Sequence, residues 1–547
     1  MPAALRPRHV PVHPPAGLAA LLGLRTPGLG SDQASRALAG ITGITHDSTA
    51  VRPGDLYAAL PGSRHHGATF CEEAAAAGAV AVLTDTAGRA RAMASGLPVF
   101  VVSDPRARLG EVASWVYGDP SGRLALIGVT GTSGKTTTTY LVESGLRRAG
   151  HLTGLIGGVQ TRAGTLVASS WLTTPEATDL QALLAVMVEQ RVTAAVMEVS
   201  SHALALGRVG GTSFDVAVFT NLSQDHLDFH QNMDEYFAAK AELFTPRYAR
   251  SAVLNIDDSH GRRLAARVSI PVTTVSAAGR AEADWRATDV RWGADGSTFQ
   301  VIGPGGVQAD ASITMPGPFN VANALGAIVA LVEVGVDLAV AVAGVGACPG
   351  VPGRLERVEA GQDLTVLVDY SHKPGAVQAV LRALRPVTQG SLRIVLGCGG
   401  DRDRAKRPMM GAAAAELADI ALLTSDNPRS EDPLAILSDM LAGTLSVPAA
   451  ERAHVIVEPD RAAAIHMAIS QAGKGDVVLI AGKGHELGQY VAGQVTPFDD
   501  REVASAAIAA KSRADRARAE LARAELARGE DRADSAGALA AQPREGT

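Results

Sequence analysis

Short apolar runs, each closed by small or charged residues, recur along the chain and alternate with segments of helical character. In the region 124–348 they read "LALIGVT", "TAAVMEVS", "FDVAVFTNL" and "SAVLNID". A second series, "LTVLVDY", "RIVLGCG", "IALLTSD", "HVIVEP" and "DVVLIAG", falls within 349–510. Near-continuous apolar strands with helices between them suit a parallel sheet, because such a sheet is buried on both faces. Each series therefore predicts an α/β domain, the first with a doubly wound sheet. The elements of region 1–123 are smaller: "GITGITHDSTAVRPGDLYAALPG", "FCEEAAAAGAVAVLTD" and "LPVFVVSD" alternate short strands with an alanine-rich helix. "YGDPSGR" (Tyr117–Arg123) is a turn-rich hinge, and "CPGVPGRLERVEAGQD" carries the chain from the second domain into the third. Residues 511–547 are charged and alanine-rich, with almost no large apolar side chains. They predict a solvated helix fading into a disordered tail.

Composition narrows the class. At 547 residues the chain is too long for one core. With 46% apolar and 19% charged residues it is an ordinary soluble globular sequence. A net charge of −6 supplies no basic field, so a nucleic-acid partner is not expected. Cys71, Cys348 and Cys398 are widely spaced and show no metal or disulfide pattern, which suits a reducing, cytoplasmic setting. The apolar run in "MPAALRPRHVPVHPPAGLAALLGL" is flanked by prolines and too short to span a bilayer, so neither a signal peptide nor membrane insertion is expected.

"LALIGVTGTSGKTTTTYLV" carries the first chemistry. A phosphate loop ordinarily reads G-x-x-x-x-G-K-[ST]. Gly134, Lys135 and Thr136 close that pattern, but Val129 stands where its first glycine belongs, and Gly128 and Gly131 flank the gap. The strand–turn–helix context still favours phosphate binding, since a helix N-terminus offers unpaired N–H groups and a positive dipole end. Lys135 would lie against the β- and γ-phosphates, and the Thr136 hydroxyl would reach Mg²⁺. A glycine-rich turn with an incidental lysine is the alternative. The loop by itself names no reaction.

Further polar clusters end predicted strands, where doubly wound folds place ligands. Glu198 in "VMEVSSHALALGRV" suits an oxygen ligand for Mg²⁺, or a solvated acid at a strand end. "FTNLSQDHLDFH" packs Asp225, His226, Asp228 and His230 together, and His226 taken alone serves as readily for a helix cap as for a ligand. Asp369, Tyr370 and His372 follow one strand, and Asp426, Asn427 and Arg429 another. Lys240 in "YFAAKAELF" falls in a helical pattern, ordinarily the place of a solvated surface cation.

Together these stretches resemble the Mur ligases, the ATP-dependent amino-acid ligases of peptidoglycan synthesis. "TGTSGKTTT" is that family's own form of the loop, which accounts for Val129. The resemblance runs through "LTTPEATDL", "MEVSSHAL", "NLSQDHLDFH", "YFAAKAELF", "FNVANALGA", "GRLERV", "VDYSHKPGAV", "GCGGDRDRAKRP", "SDNPRSEDP" and "AGKGHE", from about Ile44 to Val503. It implies three α/β domains: an N-terminal UDP-sugar-binding domain (1–123), a central P-loop ATPase domain (124–348) and a Rossmann-like, amino-acid-binding domain (349–510). "THDSTAVRPGDLYAALPG" and "DNPR" resemble the members that add diaminopimelate to UDP-N-acetylmuramoyl-L-alanyl-D-glutamate. One departure is that the more usual "DYAHTPDAL" is here "DYSHKPGAV", with Lys373 and Gly375.

The resemblance also implies roles. A D-glutamyl carboxylate attacks the γ-phosphate of ATP, and the amine then attacks the acyl phosphate. Lys135, Glu198, His226 and Lys240 match catalytic positions. Gly131, Thr132, Ser133, Gly134, Lys135, Thr136, Thr137, Asn320, Asn323, Arg354, Asp369 and His372 match ATP-binding ones. For Asn320 and Asn323, helix caps and turns are the alternative. Mg²⁺ would be held by Thr136, Glu198, His226 and Lys240, the last as an N6-carboxylysine. Ser48, Thr173, Thr174, Ser200 and Arg208 match contacts to the UDP-sugar peptide. Arg402, Asp426, Asn427, Arg429, Gly482 and Glu486 match contacts to diaminopimelate, with Arg429 gripping a carboxylate bidentately. A monomer is the expected state. Other readings are a related ligase with a different substrate, such as a folylpolyglutamate synthetase, and a nucleotide-dependent switch.

Overall fold

The structure is a computed structural model describing residues 6–25, 40–170, 172–227, 229–293 and 295–540, with side chains to residue 523. It divides into two compact units, Met1–Val351 and Pro352–Thr547. The division falls within the "CPGVPGRLERVEAGQD" segment.

The first unit holds two sheets. A four-stranded parallel sheet runs in sequence order: β1 (Gly43–Thr45), β2 (Asp55–Ala59), β3 (Ala81–Thr84) and β4 (Val99–Val101). The N-terminal apolar run forms the helix Pro15–Leu22, whose Leu18, Ala19 and Leu22 are buried in the same core as Ile44, Leu56 and Leu83. The second sheet has eleven strands. These are β5 (Ala125–Thr130), β6 (Thr153–Ile156), β7 (Gln160–Ala163), β8 (Leu166–Ser169), β9 (Ala194–Glu198), β10 (Phe214–Phe219), β11 (Ala249–Asn255), β12 (Val272–Ser276), β13 (Trp285–Gly293), β14 (Gly296–Ile302) and β15 (Gln308–Ile313). Their order is β15-β14-β13-β12-β11-β10-β5-β9-β6-β7-β8.

From β13 to β6 the neighbours are parallel, and successive residues of β5 face opposite cores. Ile127 and Val129 pack with the helices Lys135–Arg148 and Pro318–Glu333, while Leu126 packs with the helix Ala177–Glu189. This is the doubly wound arrangement that the apolar runs predict. The sequence reading omits the antiparallel flanks β7–β8 and β14–β15. Their strands are half-exposed or polar, as in "QTRA" and "QADASI", and carry no continuous apolar run.

The second unit contains β16 (Glu356–Arg357), β17 (Thr365–Asp369), β18 (Leu392–Leu396), β19 (Ile420–Leu423), β20 (His454–Val457) and β21 (Val477–Ala481), ordered β16-β17-β21-β18-β19-β20. All but β16 run parallel. The central strand β21 is wholly buried, and each such Val, Leu or Ile contributes roughly 1.5–3 kcal/mol on burial. A separate hairpin joins β22 (Gly488–Val491) to β23 (Gln494–Pro497). The final helix, Asp500–Ala540, docks through Ala504, Ala507 and Ile508, and the charged segment predicted to fade out is helical through Ala540. Arg461 and Asp500, both fully buried, form a bidentate ion pair of 2.7 Å that fixes the start of this helix. No helix among the described residues is long and apolar enough to cross a membrane.

Candidate active site

β5 lies between β10 and β9, so the loop leaving it opens at the point where the strand order diverges. Val129 explains the irregular loop. It is a fully buried strand residue paired with Val218 and Glu198, and the strand continues to Thr130 before the turn begins at Gly131. Gly131 (φ 149°) and Gly134 (φ 87°) both adopt backbone that L side chains rarely take. A Cβ at Gly134 would stand 2.3 Å from Asn323 Oδ1, and one at Gly131 would stand 1.9 Å from Thr220 Oγ1. The loop can thus pass close to its neighbours only as glycine.

Side chains from other elements hold the loop. Lys240 lies on the helix Met233–Ala241, capped by Asn232, and its ammonium donates to Gly131 O at 3.0 Å. It is only 1% exposed and stands 4.7 Å from the Tyr236 ring centre, so it is a buried cation and not a solvated one. The Tyr236 hydroxyl meets Thr132 Oγ1 at 3.1 Å. Asn221 accepts from the Ser133 N–H at 3.0 Å and donates to Ser133 O. Lys135 Nζ donates to Gly131 O (2.9 Å) and Thr132 O (3.1 Å). Thr136 and Thr137 are buried in the first turn of the helix Lys135–Arg148. Asn320 donates to Pro316 O, and Asn323 donates to Asn320. Both asparagines are buried, so Asn320 secures a helix start while Asn323 abuts the loop.

Glu198, at the end of β9, is 2% exposed and accepts the Gly158 N–H at 2.9 Å. It is not a solvated acid. A Cβ at Gly158 would come within 3.3 Å of Thr173 Oγ1, which places Thr173 beside this carboxylate. Thr174 Oγ1 donates to Glu198 O and accepts from Ser200 N, and Ser200 caps the short helix that follows. Arg208 pairs with Glu176 at 2.8 Å and donates to Thr174 O. Thr173 and Thr174 thus lie next to Glu198, and Ser200 and Arg208 join them through Thr174. Ser48 opens a helical turn after β1, next to Asp47, whose carboxylate caps Thr49.

His226 is not a helix cap. It has positive φ (54°), pairs with Asp225 at 3.0 Å and meets the His202 ring edge-on at 4.7 Å. The buried His230 bonds Ser201 Oγ at 3.0 Å. Asp228 lies outside the described residues. Among the described residues no group of three or more His, Cys, Asp and Glu forms a metal cage. Thr136 offers a buried hydroxyl and Glu198 a buried carboxylate, oxygen donors of the kind that suits Mg²⁺, which keeps its waters and takes few protein ligands alongside phosphate. His226, as an imidazole, does not extend that set well.

In the second unit every candidate except Arg354, which precedes β16, lies at or just past the C-terminal end of a strand. Asp369 ends β17, accepting from Leu355 N and Ser371 N at 2.8 Å and from the Ser371 hydroxyl. Burial pushes its carboxyl above the ordinary range, against the Ser371 hydrogen bonds and the pull of Arg354. The Arg354 guanidinium stands 4.6 Å from the Tyr370 ring centre, and the His372 ring packs edge-on against Tyr370 at the same distance. The Lys373 departure is the N-cap of the helix Pro374–Leu384, and a side chain at Gly375 would meet nothing within 4 Å. Packing therefore does not require glycine at position 375.

Past β19, Asn427 Nδ2 donates to Glu486 Oε2 at 2.7 Å, and Arg429 Nη1 donates to Gly400 O at 2.6 Å. Arg429 has φ 55°, held because its N–H donates to Tyr490 O and its carbonyl accepts from Ala492 N. A Cβ at Gly399 would lie 2.9 Å from Arg429 Nη1, and Arg402 Cγ lies 3.9 Å from that point. Arg402 is exposed beside Arg429, whereas Arg407 is internal, paired with Glu431 and Asp439. Asp426 is buried, which raises its carboxyl despite nearby Arg461 and Lys483, and a Cβ at Gly482 would lie 2.5 Å from it. Sequence reasoning assigned no role to Lys483, Tyr236 or Asn221. "AGKGHE" contains Lys483, but a lysine between glycines gives no sign of burial.

Three family models match in order: "Mur ligase family, catalytic domain" over residues 40–117, "Mur ligase middle domain" over 129–331, and "Mur ligase, glutamate ligase domain" over 353–484. The UDP-N-acetylmuramoyl-L-alanyl-D-glutamate–2,6-diaminopimelate ligase of Streptomyces avermitilis is 59% identical over 93% of this chain and 98% of its own. The chain belongs to the Mur ligase family. The Streptomyces coelicolor ligase of the same name is 60% identical over the same shares of both chains, 93% and 98%. A solved structure of a ligase with that name superposes with a TM-score of 0.63 at 33% identity, covering 87% of this chain and 96% of the other. The three matched segments correspond to three α/β domains, in the order that the alternating strands predict.

Proposed function

We propose that this Mur ligase is an ADP-forming amide ligase that adds diaminopimelate to UDP-N-acetylmuramoyl-L-alanyl-D-glutamate, using ATP. What carries the reading is the presence in one chain of two different sites. One is a phosphate loop held by buried side chains; the other gathers Asn427, Arg429 and Glu486 past parallel strands. The names of the similar ligases supply the substrates. The domains are taken as 1–123, 124–348 and 349–510.

An anionic carboxylate must approach an anionic phosphate, so positive charge has to be concentrated there. Lys135 and the loop N–H groups neutralise the γ-phosphoryl oxygens as the D-glutamyl carboxylate attacks. The acyl phosphate that forms is then attacked by the amine, and phosphate leaves. Mg²⁺, when bound at Thr136 and Glu198, supplies further charge neutralisation. Lys240 is carbamylated in the working enzyme. A carbamate nitrogen retains one N–H, so its bond to Gly131 O can persist while the new oxygens add anionic charge. In the first unit Asn320 and Asn323 contact the nucleotide; in the second, Arg354, Asp369 and His372 have nucleotide-binding roles of their own. Ser48, Thr173, Thr174, Ser200 and Arg208 bind the UDP-sugar peptide. Arg429 takes the distal carboxylate of diaminopimelate and Glu486 its ammonium, with Arg402, Asp426, Asn427 and Gly482 around them. L-lysine lacks that carboxylate and would leave Arg429 unpaired.

The test is ADP release with ATP, the UDP-sugar dipeptide and one acceptor at a time. Diaminopimelate should support turnover, and L-lysine should be worse by as much as ~10⁴-fold in kcat/KM. Equal use of the two acceptors, or nucleotide binding without acceptor-dependent ADP release, would contradict the reading.

A further inference from the structure

Lys483 is fully buried directly after β21, yet none of the roles above requires it. Its ammonium makes three bonds: to Asn427 Oδ1 at 3.0 Å, to Glu486 Oε2 at 3.3 Å and to Gly488 O at 2.7 Å. Three donors thus meet three acceptors. Asn427 Oδ1 also accepts the Tyr490 N–H at 3.1 Å. A lysine ammonium and a backbone N–H can only donate, so together they hold the amide oxygen on their side. Asn427 Nδ2 must then face Glu486 Oε2, where it donates at 2.7 Å. Rotating the amide would set its NH₂ against two donors and its oxygen against a carboxylate.

The third bond reaches further. Gly488 begins β22, and the Tyr490 carbonyl of that strand accepts the Arg429 N–H, with Arg429 bridged to Val491. One buried ammonium therefore links Asn427, Glu486 and the hairpin that holds Arg429 at positive φ. We propose that Lys483 is a positioning residue for the amine acceptor: it fixes the Asn427 amide and the Glu486 carboxylate and anchors the β22–β23 hairpin behind Arg429. This rests on the acceptor reading given above.

The test is steady-state ADP formation by the full chain, varying one substrate at a time. Lys483→Met keeps the stem and removes the donors, leaving buried acceptors unpaired. It should raise KM for diaminopimelate ~10- to 100-fold, with KM for ATP and the UDP-sugar dipeptide within about twofold. Tyr490→Pro removes the other donor to Asn427 Oδ1 from the exposed hairpin, and its lost N–H points at Asn427 and not across the hairpin. It should raise the same KM about three- to tenfold through the Asn427 amide alone, and if Lys483→Met does not fold, Lys483→Gln, which keeps part of the donor set, takes its place with a rise in the same direction. An unchanged KM for diaminopimelate in folded Lys483→Met, or in Lys483→Gln in its place, overturns the proposal. So does an equal rise for all three substrates. If the wild-type chain forms no ADP with diaminopimelate, the acceptor reading itself has failed and the positioning role falls with it.

Discussion

A buried lysine stands at the centre of each site, but the two do different work. Lys240 in the first unit donates to a backbone carbonyl and holds a glycine loop whose own N–H groups would bind phosphate. Lys483 in the second unit donates to two side chains and one carbonyl, and so holds the groups that would touch a ligand. Backbone recognition suits phosphate, which every nucleotide shares. Side-chain recognition suits an amino acid that must be told apart from its relatives. On the proposed function, activation would belong to the first site and choice of amine to the second.

The largest expected effect breaks the activation side. Lys135→Ala should lower kcat with every acceptor by ~10³-fold, because charge neutralisation at the phosphoryl group is lost. ADP release measured with each acceptor checks this, and a loss confined to one acceptor would blur the two roles. Lys240→Ala should lower kcat by ~10²-fold and be partly rescued by a small added carboxylate. Loss without rescue would instead favour the ammonium as a loop anchor, and full activity would remove both roles. On the selection side, Arg429→Ala should reduce kcat/KM for diaminopimelate by ~10²-fold while KM for ATP moves little. Matching losses for both substrates would erase the contrast.

The smallest effect is on stability. Arg407 donates a hydrogen bond to Glu431 and holds that carboxyl down at about 2 from an ordinary 4.5. A depressed carboxyl contributes stability that is present above its unfolded pKa and lost as pH falls through the folded one. The gap in unfolding midpoint between wild type and Glu431→Gln should thus be full at neutral pH and shrink between 4.5 and about 2. A gap that widens on acidification would contradict the pairing. Glu431 also accepts from Asp401 N, next to Arg402, so the pair braces the loop beside the acceptor cluster.

The same contrast governs how much could be read beforehand. The parallel strands were legible because each is a continuous apolar run, as in "VVLIA". The phosphate loop was legible because glycine, lysine and threonine have fixed spacing around a strand end. Val129 departs from the general motif but matches the resembled family's own loop, and the strand runs one residue past it. The antiparallel flanks were missed because their strands are short and partly polar. The buried lysines were illegible for a physical reason. Burial of Lys240 depends on Tyr236 and Gly131, and that of Lys483 on Asn427 and Gly488, partners that local periodicity does not reveal. Asn323 shows the same limit, since it looks like an ordinary polar residue on a helix, whereas the strand-end position of Glu198 marked it as a candidate ligand.

In the proposed reaction a carboxylate is phosphorylated at the loop site before the amine attacks. That step is tested most directly by labelling the D-glutamyl carboxylate of the UDP-sugar dipeptide with ¹⁸O and analysing the phosphate released in the presence of ATP and diaminopimelate. One labelled oxygen should be transferred to phosphate at each turnover, because the carboxylate oxygen stays with phosphorus when the acyl phosphate breaks down. Amide formation with wholly unlabelled phosphate would contradict it.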